Sequence, residues 1–261
     1  MRSINQEEYY HKIKNLNILH YTGEVPYYEK APLRKVEKAI LSKLKPDSEI
    51  LDLGCGAGRF SIGAAEMGFN VTGIDITPDS IKTASRKSES LNLKNVKFLV
   101  GDMTELPFES GVFDYVFCPR FSINAVATFS RREKTIQEMI RVVKNNGTIF
   151  IESFNKLYLG KGPILFLKNM LRDIWRYFSI FFSYLLNKEY KGLLPGDIIY
   201  ESNKIAGAPQ GYAHLPTVCE LKKLIPRNTK YRFYSIPQIV ENKKMDIYKF
   251  FRYSIWIFLK N

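Results

Sequence analysis

A chain of 261 residues is long enough to bury a full hydrophobic core, and its composition, 45% hydrophobic and 25% charged, is typical of a globular protein. Its amino end lacks the apolar segment of a secretory signal. Three scattered cysteines and three scattered histidines give neither a disulfide framework nor a zinc site, so we expect a cytoplasmic, metal-free protein.

The formal net charge of +13 is unevenly distributed. Residues 1–150 carry 21 Lys and Arg against 18 Asp and Glu, a net of +3, whereas residues 151–261 carry 18 against 8, a net of +10. Two interpretations remain open. The excess is either a set of solvated lysines, or an attraction of the carboxy-terminal part to an anionic surface such as nucleic acid or membrane.

The amino-terminal part is predicted to be largely helical. Residues 1–30 are polar and rich in tyrosine, and apolar residues recur on one helical face in 31–44 until Pro46 ends the pattern. We expect residues 1–45 to form a helical lid.

Five strand-like runs follow, alternating with helical patterns. The runs are EILDLG (49–54), NVTGID (70–75), VKFLVGD (96–102), FDYVFCP (113–119) and TIFIESF (148–154). The helices between them are predicted over 59–68, over 77–93 with Thr77 as N-cap, and over 130–147 with Ser130 as N-cap and Asn146-Gly147 as its end. This alternation predicts an α/β core over residues 46–154, with a doubly wound, mostly parallel sheet.

The rhythm breaks after residue 154. Residues 155–212 are predicted to be an irregular, partly helical insert that caps the substrate site. Residues 213–261 return to the core with a helix over 215–225 and two antiparallel closing strands. The expected fold is therefore a seven-stranded Rossmann-like sheet with an antiparallel last strand.

A turn rich in glycine follows the first strand, in the pattern D-x-G-x-G-x-G formed by Asp52, Gly54, Gly56 and Gly58. Arg59 stands where a dinucleotide fingerprint would carry its third glycine, and no G-K-[ST] follows. Bare main chain at a helix start can approach a ligand closely. The carboxylate before the turn would repel a pyrophosphate but suits a cationic amino-acid group.

These motifs resemble the class I S-adenosylmethionine (SAM)-dependent methyltransferases over roughly residues 30–152. LDLGCGAG, GIDIT, GDMTELPF, FDYVFCPRFSINAV and EMIRVVKNNGTIFI resemble the motifs of this family, in the family's order. The resemblance implies SAM as cofactor and a binding set of Asp52, Gly54, Gly56, Gly58, Arg59, Asp75, Ile76, Asp102, Met103 and Pro119.

Within that set the resemblance gives Asp75 the ribose hydroxyls, Asp102 the adenine amino group and Met103 the adenine ring. Each assignment has a structural alternative. Asp75 could cap the next helix, Asp102 could anchor a turn, and Arg59 could brace the loop instead of touching the SAM carboxylate.

Methyl transfer depends mainly on positioning, and only a hydroxyl acceptor gains from a general base. The candidate catalytic residues are His214, His20 and Arg120, which lie near the predicted acceptor end. The candidate substrate residues are Tyr21, Tyr28, Asn124 and Tyr212.

The expected acceptor is the oxygen or nitrogen of a small molecule. Nucleic acid is disfavoured, because no N/D-P-P-Y/F/W tetrapeptide follows the fourth strand and no aromatic-basic stacking platform is evident. A chain of another class, a non-catalytic SAM- or RNA-binding protein with this fold, remains an alternative.

The insert contains a helical pattern over 163–187 with a cationic stripe and a broad apolar face. Either the apolar face packs on the domain, or the helix lies on an anionic membrane and favours a lipid-linked or hydrophobic acceptor. The second interpretation would make the protein peripheral to the membrane. The sequence does not fix the oligomeric state.

Overall fold

The computed structural model describes residues 5–156, 196–201, 209–244 and 253–261, together with Leu171, Ile174, Trp175, Phe178, Leu193 and Asp246. The predicted segment 163–187 therefore lies mostly outside the described residues.

A seven-stranded sheet forms the centre of the molecule, in the order β3-β2-β1-β4-β5-β9-β8. Its strands are β1 (Glu49–Leu53), β2 (Asn70–Asp75), β3 (Val96–Val100), β4 (Phe113–Cys118), β5 (Val143–Phe154), β8 (Lys230–Tyr234) and β9 (Ser254–Lys260). The first five pair in parallel, and β9 is antiparallel to both of its neighbours. This confirms the predicted fold class.

Helices cover the sheet, and the apolar residues of the central strands explain why. Leu51, Leu53, Val116 and Ile149 are fully buried, as expected for parallel strands that are covered on both faces. The helices are α1 (Gln6–Glu29), α2 (Lys35–Leu41), α3 (Arg59–Glu66), α4 (Pro78–Ser90), α5 (Phe129–Val142), α6 (Val218–Leu224) and α7 (Ile236–Val240). A 3₁₀ helix (Ser122–Ala125) follows β4, and neither it nor α7 was predicted.

Two helix ends differ from the prediction. The N-cap of α5 is Thr128, whose side chain accepts from the Arg131 N–H, so the Ser130 prediction is wrong. The same helix ends at Val142 because Val143 already pairs with Phe113, so residues 143–147 belong to β5. Thr77 is the N-cap of α4, but its side chain makes no capping hydrogen bond.

The described part of the insert contains a regular element that the sequence did not reveal. Strands β6 (Asp197–Tyr200) and β7 (Gly211–His214) form a separate two-stranded antiparallel ribbon. The ribbon lies against α1, where the Asn17 carboxamide oxygen accepts from the Tyr212 N–H at 2.8 Å. The amino-terminal helix and the ribbon are thus in direct contact. In the described ranges, no helix is both long and apolar enough to cross a membrane.

Candidate active site

A cleft opens where β1, β2 and β4 end, with an empty volume of about 920 Å³ that is partly open to solvent. Parallel sheets hold ligands at this edge, where the strand order reverses. The predicted site residues that line it are Asp52, Gly54, Gly56, Arg59, Asp75, Ile76, Met103, Pro119, Arg120, Tyr21 and Tyr28.

The glycine turn presents main chain to this cleft. Gly54, Gly56 and Gly58 have φ of +71°, +53° and +79°, a region that side chains disfavour. A Cβ on Gly58 would lie 2.9 Å from Ala84 and from Phe98, whereas a Cβ on Gly56 would meet nothing within 4 Å. Gly58 is thus required by packing and does not line the cleft, while Gly56 leaves bare backbone facing open space.

Asp75 stands at the end of β2 and is tied to the turn. Its Oδ2 accepts from the Gly56 N–H and its Oδ1 from the Thr77 N–H, both at 2.9 Å. Burial raises the pKa of Asp75, although these bonds act in the opposite direction. The carboxylate therefore fixes the loop and the start of α4, and it also lines the cleft.

Asp52, at the end of β1, is fully buried beneath the turn. Its Oδ2 accepts from the Ser61 hydroxyl at 2.6 Å, and its Oδ1 has no hydrogen-bond partner in the described ranges. Burial raises the pKa of Asp52 to about 7, against the Ser61 hydrogen bond and the charge of Arg59. An unsatisfied buried acceptor on a cleft wall fits a cationic ligand group.

Arg59 braces the loop. Its two terminal nitrogens contact the Glu37 carboxylate at 2.6 and 2.7 Å, and one of them also donates to the Pro32 carbonyl. Glu37 also accepts from the Arg34 Nε, and Arg34 reaches Glu152 on β5. The guanidinium of Arg59 is therefore bonded to α2, which favours the bracing alternative, and the residue also lines the cleft.

Asp102 also differs from the prediction. Its Oδ2 accepts from Lys14 Nζ and from the Tyr10 hydroxyl, both at 2.6 Å, and its Oδ1 accepts from the Thr104 N–H. Burial alone would raise the pKa of Asp102, but these bonds lower it to about 2. The carboxylate thus anchors a turn and α1, which is the structural alternative, and Asp102 is not among the residues that line the cleft.

Three predicted acceptor-side residues do converge. Tyr21 and Tyr28 from α1 line the cleft together with Arg120, which follows β4. The Arg120 guanidinium lies 5.7 Å from the centre of the Tyr28 ring. The Tyr21 hydroxyl lies 3.5 Å from that of Tyr200 on the ribbon, and burial raises the pKa of both phenols, that of Tyr200 to about 12.

The two candidate histidines, His20 and His214, are not among the residues that line the cleft. His20 is fully buried, with Nδ1 2.6 Å from the Pro209 carbonyl. His214 is buried in β7, with Nδ1 2.7 Å from Asp197 Oδ1. The His20 ring thus connects α1 to the segment before β7, and the His214 ring connects the two strands of the ribbon.

Asn124 and Tyr212 are likewise structural. The Asn124 amide donates to the His214 carbonyl and to Ser153 Oγ, and its oxygen accepts from the Phe154 N–H. Tyr212 is fully buried and donates its hydroxyl to Asp197 Oδ1 at 2.7 Å. Neither residue is among those that line the cleft.

The sequence did not single out several residues that line the cleft. They are Cys55, Ala57, Phe60, Ile74, Ser80, Gly101, Ser122 and Ala125. Most of them are adjacent in sequence to a motif residue, so their position next to a motif could have identified them as cleft residues. Ser122 is held by a hydrogen bond from its hydroxyl to the Pro119 carbonyl at 2.9 Å.

Comparison with known proteins agrees with this geometry. A family model described as a methyltransferase domain matches residues 44–175, just over half of the chain. The chain belongs to the class I SAM-dependent methyltransferases. The cosubstrate of this family is SAM, and the glycine turn, the open acceptor on Asp52 and the carboxylate of Asp75 fit it.

Two curated methyltransferases are similar in sequence. A 2-methyl-6-phytyl-1,4-hydroquinone methyltransferase of Synechocystis is 32% identical over 165 residues, covering 60% of this chain and 50% of the relative. A demethylmenaquinone methyltransferase of Bacillus cereus is 33% identical over 154 residues, covering 57% and 60%. The chain thus spans between half and three fifths of the length of these relatives.

Solved methyltransferase structures share the fold. A SAM-dependent methyltransferase from Methanosarcina mazei has a TM-score of 0.60 at 22% identity, covering 88% of this chain and 99% of the other. The CcbJ methyltransferase from Streptomyces caelestis has a TM-score of 0.63 at 13% identity, covering 93% and 98%.

Proposed function

We propose that this chain transfers the methyl group of SAM to an oxygen or nitrogen atom of a small-molecule acceptor. The observation that carries the proposal is that the bare Gly56 backbone and the Asp52 and Asp75 carboxylates line the same cleft as Tyr21 and Arg120. In this proposal, the residues that bind the cosubstrate and those that bind the acceptor share one cleft.

For the cosubstrate, we assign the ammonium group of SAM to Asp52 Oδ1 and its ribose hydroxyls to Asp75. Each carboxylate oxygen of Asp75 already accepts one backbone N–H and has a further lone pair to offer. Ile76 and Met103 supply apolar surface for the adenine ring. Gly54 and Gly56 leave room for the methionine part.

When SAM is bound, its sulfonium supplies an activated methyl group. The protein must then hold the acceptor atom about 3 to 3.5 Å from the methyl carbon and exclude water. Tyr21 and Tyr28 are placed to hold a flat acceptor, and Arg120 contacts the same space. The two similar methyltransferases support a small, ring-containing acceptor, since the name of one specifies a hydroquinone that carries a phytyl chain.

A second candidate is the membrane-peripheral form of this activity, with a hydrophobic or lipid-linked acceptor. Leu171, Ile174, Trp175 and Phe178 are helical and are 55%, 44%, 75% and 53% exposed. Their spacing of three and four residues puts them on one helical face. Exposed apolar side chains within the part of the chain that carries a net charge of +10 suit an anionic bilayer.

Co-sedimentation with vesicles of mixed neutral and anionic lipid tests the membrane candidate. The wild-type chain should sediment with the vesicles. The control variant Leu91→Ala, which changes an exposed leucine at the end of α4 and outside residues 155–212, should sediment equally. The double variant Trp175→Ala/Phe178→Ala should remain in the supernatant. Equal sedimentation of all three proteins, or none with the wild type, would dispose of the candidate.

Calorimetric titration with SAM and a transfer assay with methyl-labelled SAM test the main proposal. Asp75→Asn should weaken SAM binding by about 1–3 kcal/mol, because it leaves ribose hydroxyls poorly paired. Arg86→Gln, an exposed change outside the cleft lining, is the control. Tight SAM binding without turnover on any phenol, hydroquinone or amine would instead favour a non-catalytic SAM-binding protein.

A further inference from the structure

The Arg120 guanidinium stands out among the charged groups around the cleft. It lines the cleft beside Tyr28, and in the described ranges no carboxylate lies within ion-pair distance of it. Arg34 and Arg59, by contrast, are each bonded to buried glutamates. Of these three arginines, only Arg120 lines the cleft without an ion pair to a described carboxylate.

The backbone holds Arg120 firmly in this position. Its N–H donates to Glu152 Oε2 at 2.8 Å, and its φ is +56°, a conformation that non-glycine residues rarely adopt. Strained residues persist where the surrounding structure enforces them, and they cluster at functional sites. The backbone position from which the Arg120 side chain extends is therefore fixed.

The carboxylates that line the cleft do not neutralise this charge. Asp52 is bonded to Ser61 beneath the turn, and Asp75 is bonded to two backbone N–H groups. The histidines that could serve as bases, His20 and His214, lie outside the lining. The acceptor end is therefore cationic and aromatic, and its described lining contains no imidazole.

We infer that Arg120 binds an oxyanion of the acceptor, and that the acceptor is an aromatic hydroxyl compound taken up as its phenolate. This inference rests on the proposed function and names its substrate class. The guanidinium donates charge-assisted hydrogen bonds to the phenolate, and Tyr28 packs against its ring.

An acceptor that is already ionised needs no general base in the cleft. Its proton passes to solvent before transfer. The phenolate lone pair then forms the new oxygen–carbon bond while the sulfur–carbon bond breaks, and that bonding pair remains on sulfur. The products are an aryl methyl ether and a neutral thioether, so charge and atoms balance.

The probe for this inference is 4-nitrophenol, whose phenolate absorbs visible light whereas the phenol does not. Binding is measured with protein that is saturated with the demethylated product, S-adenosylhomocysteine. The neutral 4-nitroanisole serves as the uncharged match. The variants are Arg120→Gln and Arg120→Lys, with Arg86→Gln as a control that removes an equal charge outside the cleft.

We expect wild type and Arg86→Gln to bind the phenolate and to lower the titration midpoint of the bound phenol below its value in solution. Arg120→Gln should weaken phenolate binding about 10- to 100-fold and abolish the shift in midpoint, while 4-nitroanisole and S-adenosylhomocysteine bind unchanged. Arg120→Lys should recover part of the loss.

Equal phenolate affinity in wild type and Arg120→Gln, or no phenolate binding by wild type that holds S-adenosylhomocysteine, overturns the inference and leaves the proposed function standing. If wild type binds neither SAM nor S-adenosylhomocysteine, the proposed function itself fails.

Discussion

The cosubstrate side and the acceptor side of the cleft differ in how far apart in sequence their contacting residues lie. Asp52 and Ser61 are 9 residues apart, and Gly56 and Asp75 are 19 apart. On the acceptor side, Tyr21 meets Tyr200 across 179 residues. The cosubstrate side is thus built within one strand–helix–strand unit, whereas the acceptor side forms only when lid and ribbon come together.

This difference has a thermodynamic consequence. Changes in the Glu37–Arg59 ion pair or in the glycine turn should affect both the free energy of unfolding and SAM binding. Changes in the ribbon should loosen the acceptor side and leave SAM binding intact. Five substitutions, in four experiments, test this separation in order of decreasing effect.

The largest effect is expected for Glu37→Gln. Glu37 is fully buried and is bonded to both Arg34 and Arg59, so the change leaves buried cationic charge uncompensated. We expect a loss of about 3–5 kcal/mol in the free energy of unfolding, measured by urea denaturation. Glu66→Gln, at an exposed position, should cost almost nothing. A loss below 1 kcal/mol for Glu37→Gln would show that this network does not brace the glycine turn.

Two glycine substitutions separate packing from ligand approach. Gly58→Ala places a methyl group 2.9 Å from Ala84 and Phe98 at positive φ, and should cost about 1–3 kcal/mol of stability. Gly56→Ala meets no protein atom, so it should cost about 1 kcal/mol from its conformation and additionally weaken SAM binding. Denaturation and calorimetry measure the two effects. SAM affinity that is unchanged in Gly56→Ala would mean that the backbone there does not face the ligand.

The dependence of SAM binding on pH tests Asp52. Its pKa is raised to about 7, so the carboxyl is increasingly neutral below that pH and binds an ammonium group less well. A cationic ligand favours the ionised form, so SAM affinity should fall by up to about tenfold per pH unit below about 7 and level off above it. Asp52→Asn should bind weakly without this dependence. Parallel pH profiles for wild type and variant would exclude Asp52 as the titrating group.

The smallest effect is expected for Asp197→Asn in the ribbon. The change keeps an acceptor for the Tyr212 hydroxyl but removes the charge beside His214. We expect a loss of about 1 kcal/mol in unfolding free energy, seen in urea, and a weaker acceptor affinity with unchanged SAM binding. Weaker SAM binding would break the proposed separation of the two sides.

The same difference explains which parts could be predicted from the sequence. The bounds of β1 to β4 follow from short apolar runs, and Asp52, Gly56 and Asp75 follow from motifs inside that unit. Hydrophobic periodicity and turn chemistry are local signals, so they describe local structure well.

The distant partners of several polar side chains could not be predicted in this way. Asp102 was assigned to a ligand, but Lys14 and Tyr10 hold its carboxylate from 88 and 92 residues away. His20 Nδ1 lies 2.6 Å from a carbonyl 189 residues away, and the Asn124 amide donates to a carbonyl 90 residues away. A buried polar group takes whatever partner the tertiary fold supplies, and no local pattern records that partner.

Calorimetric titration of the wild-type chain with SAM tests the central claim most directly. If the cleft at the strand ends is a SAM site, the chain binds one SAM per molecule, and S-adenosylhomocysteine competes for the same site. The absence of binding heat for both nucleosides, confirmed by equilibrium dialysis, would contradict the account.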